Sequence, residues 1–198
     1  MEDARTFPEL RSERFLLRQI QQSDLAAIFF GLSHPKVTAH YGIWYESELA
    51  TQEQIDWYRC LEKEGTGMWW AICPINQAEQ LIGACGIYEV DNYNRNADLG
   101  YWLLPAYWGQ GVMLECLDKV LQYGFDSMQL HRIEAEVEVE NISSSKLLTK
   151  LGFEHEGRRR QVSWKRDRFV DLDYYGILNA HFQKRRAENQ ATELECEP

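Results

Sequence analysis

One stretch decides how this chain folds: Asp98-Leu-Gly-Tyr-Trp-Leu-Leu-Pro-Ala-Tyr-Trp-Gly-Gln-Gly-Val-Met-Leu-Glu-Cys-Leu117. Its first part, residues 99–104, is apolar and aromatic and has the length of a β-strand, which Pro105 ends. After a glycine-rich turn, apolar residues between positions 112 and 125 recur with the period of an α-helix. The stretch therefore predicts a strand, a short turn and a helix in direct succession.

The turn between that strand and that helix, Trp108-Gly-Gln-Gly111, is suited to an anion. The first backbone N–H groups of a helix have no partner inside the helix, and the helix dipole adds partial positive charge beside them. Glycine lets a phosphate approach the backbone, because a side chain would block it. A tight turn without a ligand explains the same residues, and for this turn alone the two interpretations have about equal weight.

The composition restricts the class of protein. With 198 residues, 44% of them hydrophobic, the chain is long enough for one domain with a full core. The 21 basic and 31 acidic residues give a net charge of −10, which argues against nonspecific binding of nucleic acid. No apolar run has the length of a membrane span, the N-terminus lacks a signal-peptide pattern, and the five cysteines show no metal-binding spacing. We therefore expect a cytoplasmic protein without membrane, metal or nucleic-acid partners.

The rest of the chain alternates between strand and helix patterns. Residues 68–73 and 81–90 are apolar runs joined by a turn of hairpin length. Residues 132–140 alternate with period 2, and a helix then extends to residue 151. The order β-α-α-β-β-β-α-β-α-β-β predicts an α/β protein with a mixed sheet and helices on both faces.

One domain accounts for this order. We expect it to cover residues 12–180, after an N-terminal extension at residues 1–11. The last two strands are expected at residues 153–162 and 164–178, and residues 181–198 form a polar, acidic tail that we expect to be flexible.

Three blocks of sequence carry a resemblance to a known family. The first is Ser12-Glu-Arg-Phe-Leu-Leu-Arg18, with Asp24 after it. The second joins Leu99-Gly-Tyr-Trp102 to Trp108-Gly-Gln-Gly-Val-Met113 and Glu115. The third is Asn141-Ile-Ser-Ser144, followed by Lys150-Leu-Gly-Phe153 and Glu156-Gly157. Each block is weak alone, but in this order and spacing they resemble the GNAT superfamily of acetyl-CoA-dependent N-acetyltransferases, and within it the RimJ/RimL-like branch.

The resemblance implies a single-domain α/β (α+β) GNAT fold with a mixed, mostly antiparallel sheet that splays open at the cofactor site. It implies that the pyrophosphate of acetyl-CoA lies against the glycine-rich turn and that the preceding strand pairs with the pantetheine arm. It also implies that Asn141 and Ser144, at the start of the helix after residues 132–140, contact the pantetheine and the sulfur. The implied cofactor contacts are Trp102, Leu103, Leu104, Trp108, Gly109, Gln110, Gly111, Val112, Met113, Asn141 and Ser144.

The chain departs from the family pattern in places that bear on catalysis. The phosphate motif usually opens with Arg or Gln and closes with Gly or Ala, whereas Trp108 and Met113 hold those positions here. Tryptophan at the first position occurs in the RimJ/RimL-like branch. The position of the tyrosine acid of many members is Leu148, and a late-strand acid of some RimL-like enzymes would fall near Ser163. The catalytic base is therefore the least defined part of the site.

Three residues are candidates for catalysis. The resemblance places Ser144 where its hydroxyl would donate a hydrogen bond to the departing thiolate. Asp98 holds a strand position where some members carry a glutamate base, and Glu138 lies on the acidic edge of its strand. The simpler alternatives stay open: a helix-cap serine for Ser144 and solvated carboxylates for the other two.

The expected reaction is direct attack of a primary amine on acetyl-CoA in a ternary complex. The amine must be neutral, and at pH 7 its deprotonation costs roughly 4.6 kcal/mol for a lysine-like amine but only about 1.4 kcal/mol for an α-amine. A protein N-terminus and a small amine are both open as acceptors. Candidates for the acceptor pocket are Tyr41, Trp44 and Glu46, although an aromatic loop packed on the core is the simpler explanation.

Two other functions fit the same blocks. A CoA-binding regulatory module without catalysis would explain the missing tyrosine. A transferase for another acyl group, such as succinyl, would need an arginine near the thioester, and the sequence does not place one. Dimers are common among relatives of this kind, so a homodimer also stays open.

Overall fold

The computed structural model describes the backbone of residues 7–195 and the side chains of residues 7–188. The strands in this part of the chain are β1 (Leu10–Arg11), β2 (Phe15–Gln19), β3 (Met68–Pro74), β4 (Gly83–Asp91), β5 (Asn96–Leu103), β6 (Arg132–Glu138), β7 (Glu154–Lys165) and β8 (Arg168–Leu178). The helices are α1 (Leu25–Leu32), α2 (Pro35–Thr38), α3 (Glu48–Glu64), α4 (Val112–Asp126), α5 (Ile142–Leu151) and α6 (Asn179–Glu195).

All eight strands form one sheet in the order β1-β2-β3-β4-β5-β6-β8-β7. Neighbouring strands are antiparallel except β5 and β6, which run parallel because α4 connects them. The pairing of β5 with β6 covers residues 96–98 and 132–134 and then stops, although both strands continue. The predicted mixed, mostly antiparallel sheet and its splay are confirmed.

Helices cover both faces of the sheet, as predicted. On one face α4 and α5 bury their apolar sides in a core that includes Leu117, Phe125, Leu148 and Ile133. On the other face α1 and α3 pack over a second core that includes Ile28, Ile55, Trp69 and Trp102. Within the described chain, none of the helices is long and apolar enough to cross a membrane.

The helix ends follow their local sequence. The Ser47 side chain caps α3 by accepting a hydrogen bond from the Ala50 N–H at 3.2 Å. Gly65, with φ of 69°, ends α3, and Gly152, with φ of 90°, ends α5. The side chain of Asn141 caps the start of α5.

The two ends of the chain differ from the prediction. Residues 10–11, expected in an extension, form β1 and pair with β2. Residues 179–195 form α6, which takes in residues 181–195 of the tail that we expected to be flexible. Phe182 explains the difference, because its ring is fully buried with its centroid 5.1 Å from that of Phe125. Residues 1–6 and 196–198 lie outside the described part.

The last hairpin is also longer than predicted. β7 continues to Lys165, beyond the expected end at residue 162, and only Arg166 and Asp167 turn into β8, with φ values of 48° and 61°. Lys165 is buried, and its ammonium pairs with the carboxylate of Glu138. In the sequence, Lys165 is followed by further charged residues and was therefore assigned to a turn, so the end of β7 was predicted too early.

Candidate active site

The glycine-rich turn has the conformation that an anion site requires. A short 3-10 turn, Pro105–Tyr107, follows β5, and α4 begins at Val112. Between them, Gly109 and Gly111 have φ values of 73° and 75°, where a residue with a side chain is strained. The first N–H groups of α4 have no partner inside the helix and point out of its N-terminus. The predicted succession of strand, turn and helix is therefore present.

Two side chains hold the turn in place. The Trp108 indole donates a hydrogen bond to the Leu103 carbonyl at 2.8 Å, which ties the turn to the end of β5. The Arg14 guanidinium donates to the Gln110 carbonyl at 3.2 Å and pairs with the Glu115 carboxylate at 2.6 Å, which ties the turn to β2 and α4. Trp108 at the first motif position therefore has a structural role in this chain.

A cavity of about 790 Å³ adjoins the turn where β5 and β6 separate. Its wall combines the end of β5, the turn, the first turns of α4 and α5, and the segment around α2. The predicted cofactor contacts in the wall are Trp102, Leu103, Trp108, Gly109, Gly111, Val112, Met113, Asn141 and Ser144. Leu104 and Gln110 lie outside the described wall.

The register of β5 limits which backbone groups face the gap. The Leu104 N–H donates to the Ile82 carbonyl at 2.9 Å, toward β4. Hydrogen-bonding direction alternates along an antiparallel strand, so the backbone groups of Trp102 also face β4 and those of Leu103 face the gap. The Trp102 indole is buried in the second core, 3.5 Å from the Tyr58 hydroxyl. Of the three residues predicted to pair with pantetheine, the register allows only Leu103.

Ser144 meets a partner that sequence reasoning missed. Its side chain lies in the first turn of α5 and in the cavity wall, with its Oγ 2.6 Å from the phenol oxygen of Tyr101 on β5. Burial raises the pKa of the Tyr101 phenol to about 12, against a smaller opposing effect of the Ser144 hydrogen bond. Tyr101 is therefore a neutral phenol that shares a hydrogen bond with Ser144.

A signal for Tyr101 existed in the sequence. The family position for a tyrosine is Leu148, whose side chain is fully buried in the core and does not belong to the described cavity wall. Tyr101, however, interrupts an apolar strand, and a buried phenol usually has a hydrogen-bond partner. The partner, 43 residues later in the chain, is visible only in the fold.

A second missed residue, His40, lies in the wall on the α2 side. Its Nδ1 is 3.1 Å from Oε2 of Glu138, and Oε1 of Glu138 pairs with the Lys165 ammonium. Glu138 was predicted as a base, but it is buried behind His40 and is not part of the described wall. The structure therefore connects Glu138 to the cavity through an imidazole.

The other predicted base, Asp98, lies elsewhere. It is the last residue of β5 to pair with β6, and strand alternation puts its side chain on the face opposite to that of Tyr101. Burial, and next the charges of Glu89, Glu134 and Glu136, raise the pKa of Asp98 to about 6. The structure thus does not bring Asp98 together with Ser144, nor does Asp98 belong to the described wall.

We expect Asp98→Asn to stabilise the protein at neutral pH. The folded state raises the pKa of Asp98 from 3.8 to about 6, so Asp98 binds a proton more tightly in the folded than in the unfolded protein. The protonated side chain therefore stabilises the fold at low pH, and this stabilisation is lost as the pH rises through about 6. Asparagine carries no charge, so the variant should exceed the native free energy of unfolding by about 1 kcal/mol near pH 7.5, after solvent screening, and match it near pH 4. Urea denaturation at the two pH values measures this, and a constant difference would contradict it.

The three predicted acceptor-pocket residues separate in the structure. Tyr41 lines the cavity, and burial holds the pKa of its phenol well above its ordinary value. Trp44 is 53% exposed and Glu46 is exposed, both on the loop before α3, and neither belongs to the described wall. Only Tyr41 of the three is placed to meet a ligand in this cavity.

Known proteins resemble this chain in sequence and in fold. The acetyltransferase (GNAT) domain family matches residues 14–154. YoaA of Bacillus subtilis (strain 168), described as an uncharacterized N-acetyltransferase, is 35% identical over 173 residues, which are 87% of this chain and 97% of YoaA.

Two solved structures show the same fold at lower identity. Spermidine N-acetyltransferase from Vibrio cholerae, in complex with CoA and spermine, superposes with a TM-score of 0.76 at 22% identity, over 85% of this chain and 98% of that one. RimL, the ribosomal L7/L12 alpha-N-protein acetyltransferase, in complex with coenzyme A, gives a TM-score of 0.78 at 19% identity, over 86% and 98%.

The residues at the site fit the coenzyme of these proteins. A Cβ built at Gly109 would meet no atom within 4 Å, so the turn is open to a ligand. The same cavity, of about 790 Å³, is lined both by that turn and by Ser144. On the family match and the identity to YoaA, the chain belongs to the GNAT acetyltransferase family and is an N-acetyltransferase with acetyl-CoA as its donor.

Proposed function

We propose that this enzyme acetylates a primary amine by direct attack, and that the α-amine of a protein N-terminus is its acceptor. One observation carries the proposal: a single cavity joins the glycine-rich turn to the Ser144–Tyr101 pair and to the α2 segment with His40 and Tyr41. An α-amine near pKa 8 loses its proton at a cost of only about 1.4 kcal/mol at pH 7, so a weak base suffices.

Within this proposal, the donor is held by the turn and by β5. The open N–H groups of Gly111, Val112 and Met113 would hold the pyrophosphate. The Leu103 N–H would donate to the pantetheine arm, since the Leu103 carbonyl already accepts from the Trp108 indole. Bound acetyl-CoA supplies an activated acetyl thioester. Ser144 donates a hydrogen bond where negative charge develops on the leaving sulfur, and the Tyr101 phenol, 2.6 Å from Ser144 Oγ, can replace the proton that Ser144 gives up.

The cysteines support direct attack. The described wall contains no cysteine, and Cys73, Cys85 and Cys116 are free and buried in the cores. Burial raises the pKa of the Cys73 thiol to about 11 and holds that of Cys85 well above its ordinary value, so neither is a ready nucleophile. Free thiols also suit a reducing compartment, and we propose the cytoplasm.

A small amine such as a polyamine is the second candidate acceptor. Asp98 lies among Glu89, Glu134 and Glu136, and such a group of carboxylates would attract a cation. The likeness to the spermidine enzyme points the same way. A succinyl donor is disfavoured, because the described cavity wall contains no arginine to hold its carboxylate.

Release of free CoA from acetyl-CoA tests the proposal. The acceptors are peptides with N-terminal Ser, Ala or Met, the same peptides with acetylated N-termini, and spermidine. We expect turnover with free N-termini and none with blocked ones. Turnover with spermidine alone would favour the small-amine alternative, and saturable CoA binding without any turnover would favour a CoA-binding module.

The turn itself is tested by Gly109→Ala. The left-handed φ of 73° predicts strain of about 1–2 kcal/mol, and the new Cβ would stand where the phosphates approach. We expect an affinity for CoA at least about tenfold lower by calorimetry. Gly65→Ala is the matched control, since Gly65 has a φ of 69° and the same open surroundings but lies at the end of α3. Equal CoA affinity in the two variants would exclude the turn as the phosphate site.

A further inference from the structure

At the cavity wall, His40 belongs to a cluster with Glu138 and Lys165 that has no role in the reaction as proposed above. His40 follows α2, its side chain is 33% exposed, and its Nδ1 lies 3.1 Å from Oε2 of Glu138. Glu138 is at the end of β6, 98 residues later in the chain. An imidazole that donates from Nδ1 to a carboxylate has an unprotonated Nε2 on the opposite edge of its ring, which is able to accept a proton.

The carboxylate behind His40 is held firmly. Glu138 and Lys165 have side chains that are 9% and 7% exposed, and the Lys165 ammonium contacts Glu138 Oε1. Both Glu138 oxygens therefore have partners, one an ammonium and one the imidazole. The ammonium and the imidazole together orient the Glu138 carboxylate, and the carboxylate in turn fixes the orientation of the His40 ring.

The other charged groups around the imidazole are largely paired. Glu140, just after β6, is near His40 but is bound by Arg168 from β8 at 2.7 Å. Arg166, in the turn between β7 and β8, donates to the Thr38 carbonyl at 3.3 Å. Lys36, on α2, is the remaining cation of the wall on this side. Among the described residues of the wall, Glu140 is the only carboxylate, and Arg168 already binds it.

We infer that His40 accepts the proton of the attacking amine and that Glu138, held by Lys165, is its positioning residue. The inference rests on the proposed function and names the base that the sequence left undefined. The amine nitrogen forms a bond to the acetyl carbon while the carbon–sulfur bond breaks. The amine proton passes to Nε2 of His40. The sulfur receives a proton from Ser144, which takes the proton of the Tyr101 phenol in its place. The products are an N-acetyl amine and free CoA. The His40 imidazolium then gives its proton to water and Tyr101 takes a proton from water, so both groups return to their starting state.

His40 and Ser144 lie in different parts of the cavity wall, as the proposed reaction requires. The hydrogen-bond donors for the leaving sulfur come from α5 and β5, whereas the proton acceptor comes from the α2 segment, so the acid and the base approach from different elements. Neither predicted carboxylate meets this requirement, because Glu138 is buried behind the imidazole and Asp98 is on the other side of its strand.

The experiment compares His40→Asn with the native enzyme on a peptide with a free N-terminal serine and on spermidine. We expect kcat to fall by about 100-fold, with little change in the KM for acetyl-CoA. The dependence of kcat on pH should also differ from that of the native enzyme, because the group that accepts the amine proton is removed. Added imidazole should partly restore the turnover of His40→Gly. His131→Asn, at an exposed site outside the described wall, is the matched control and should behave as native.

Glu138→Gln tests the positioning role. We expect kcat to fall about tenfold and its pH profile to shift, while acetyl-CoA binding stays native. If the native enzyme turns over but His40→Asn keeps its kcat and pH profile, the assignment of His40 is overturned and the acetyl transfer stands. If the native enzyme turns over no acceptor, the proposed function fails and the assignment fails with it.

Discussion

Ser144→Ala should lower kcat by about 10²–10³-fold and leave the KM for acetyl-CoA nearly unchanged. The mutation removes a hydroxyl that lies 2.6 Å from the Tyr101 phenol, on a residue of the cavity wall that is 9% exposed. A preorganised donor acts mainly on the charge that develops as the carbon–sulfur bond breaks, so its loss affects the transition state more than binding. Steady-state kinetics of CoA release with the peptide acceptor measures both constants.

The neighbouring serine provides the control. Ser145, also in the first turn of α5, donates to the Asn141 carbonyl at 3.4 Å and is not part of the described wall. Ser145→Ala should keep native kinetics, whereas Tyr101→Phe should lower kcat about tenfold, because the phenol acts through Ser144. Equal losses in Ser144→Ala and Ser145→Ala would show that the serine only stabilises the helix start.

Local patterns made the frame of the site predictable. Pro105 after an apolar strand, the paired glycines and the helix period fixed the turn where the structure has it. Asn141 was placed at a helix start for the same reason, and its side chain does accept from the Ser144 N–H at 3.2 Å. These features depend on residues within a few positions of one another, which a single sequence contains.

The groups that meet across the cavity were not predictable in this way. The Tyr101–Ser144 and His40–Glu138 contacts join residues 43 and 98 positions apart, so no spacing in the sequence indicates them. Strand alternation did put Asp98 and Trp102 on one face, but the sequence does not say which face meets α5. The helix α6 was not predicted, because its sequence is polar apart from a few residues and only the fold shows that the ring of Phe182 is buried.

One block of the family resemblance turns out to be structural. Arg18 on β2 and Asp24 at the start of α1, both in the first block, form a bidentate ion pair with two contacts of 2.8 Å. They are 8% and 3% exposed and lie away from the described cavity wall. The Asp24 hydrogen bond raises the pKa of Arg18 above its ordinary value, and Asp24 Oδ2 also accepts from the Gln21 N–H at 2.7 Å. This pair fixes the angle at which the chain leaves β2 for α1.

Asp24→Asn should therefore destabilise the fold by about 3–5 kcal/mol, because it leaves the buried Arg18 guanidinium without a counter-charge. The amide also turns an N–H group toward a donor, either Arg18 or Gln21. Guanidinium denaturation measures the loss. The control is Asp56→Asn, whose pairing with Arg59 at 3.6 Å is exposed on both sides and should change stability by less than about 0.5 kcal/mol.

The double variant Arg18→Met/Asp24→Leu separates charge from packing. If the loss in Asp24→Asn comes from an uncompensated buried charge, removing both charges should destabilise by less than the sum of Arg18→Met and Asp24→Leu measured singly. Strict additivity would mean that each side chain acts through its separate hydrogen bonds, such as that from Arg18 Nε to the Ala78 carbonyl at 2.8 Å. A subadditive loss would show that Arg18 and Asp24 stabilise the β2–α1 junction as one coupled pair.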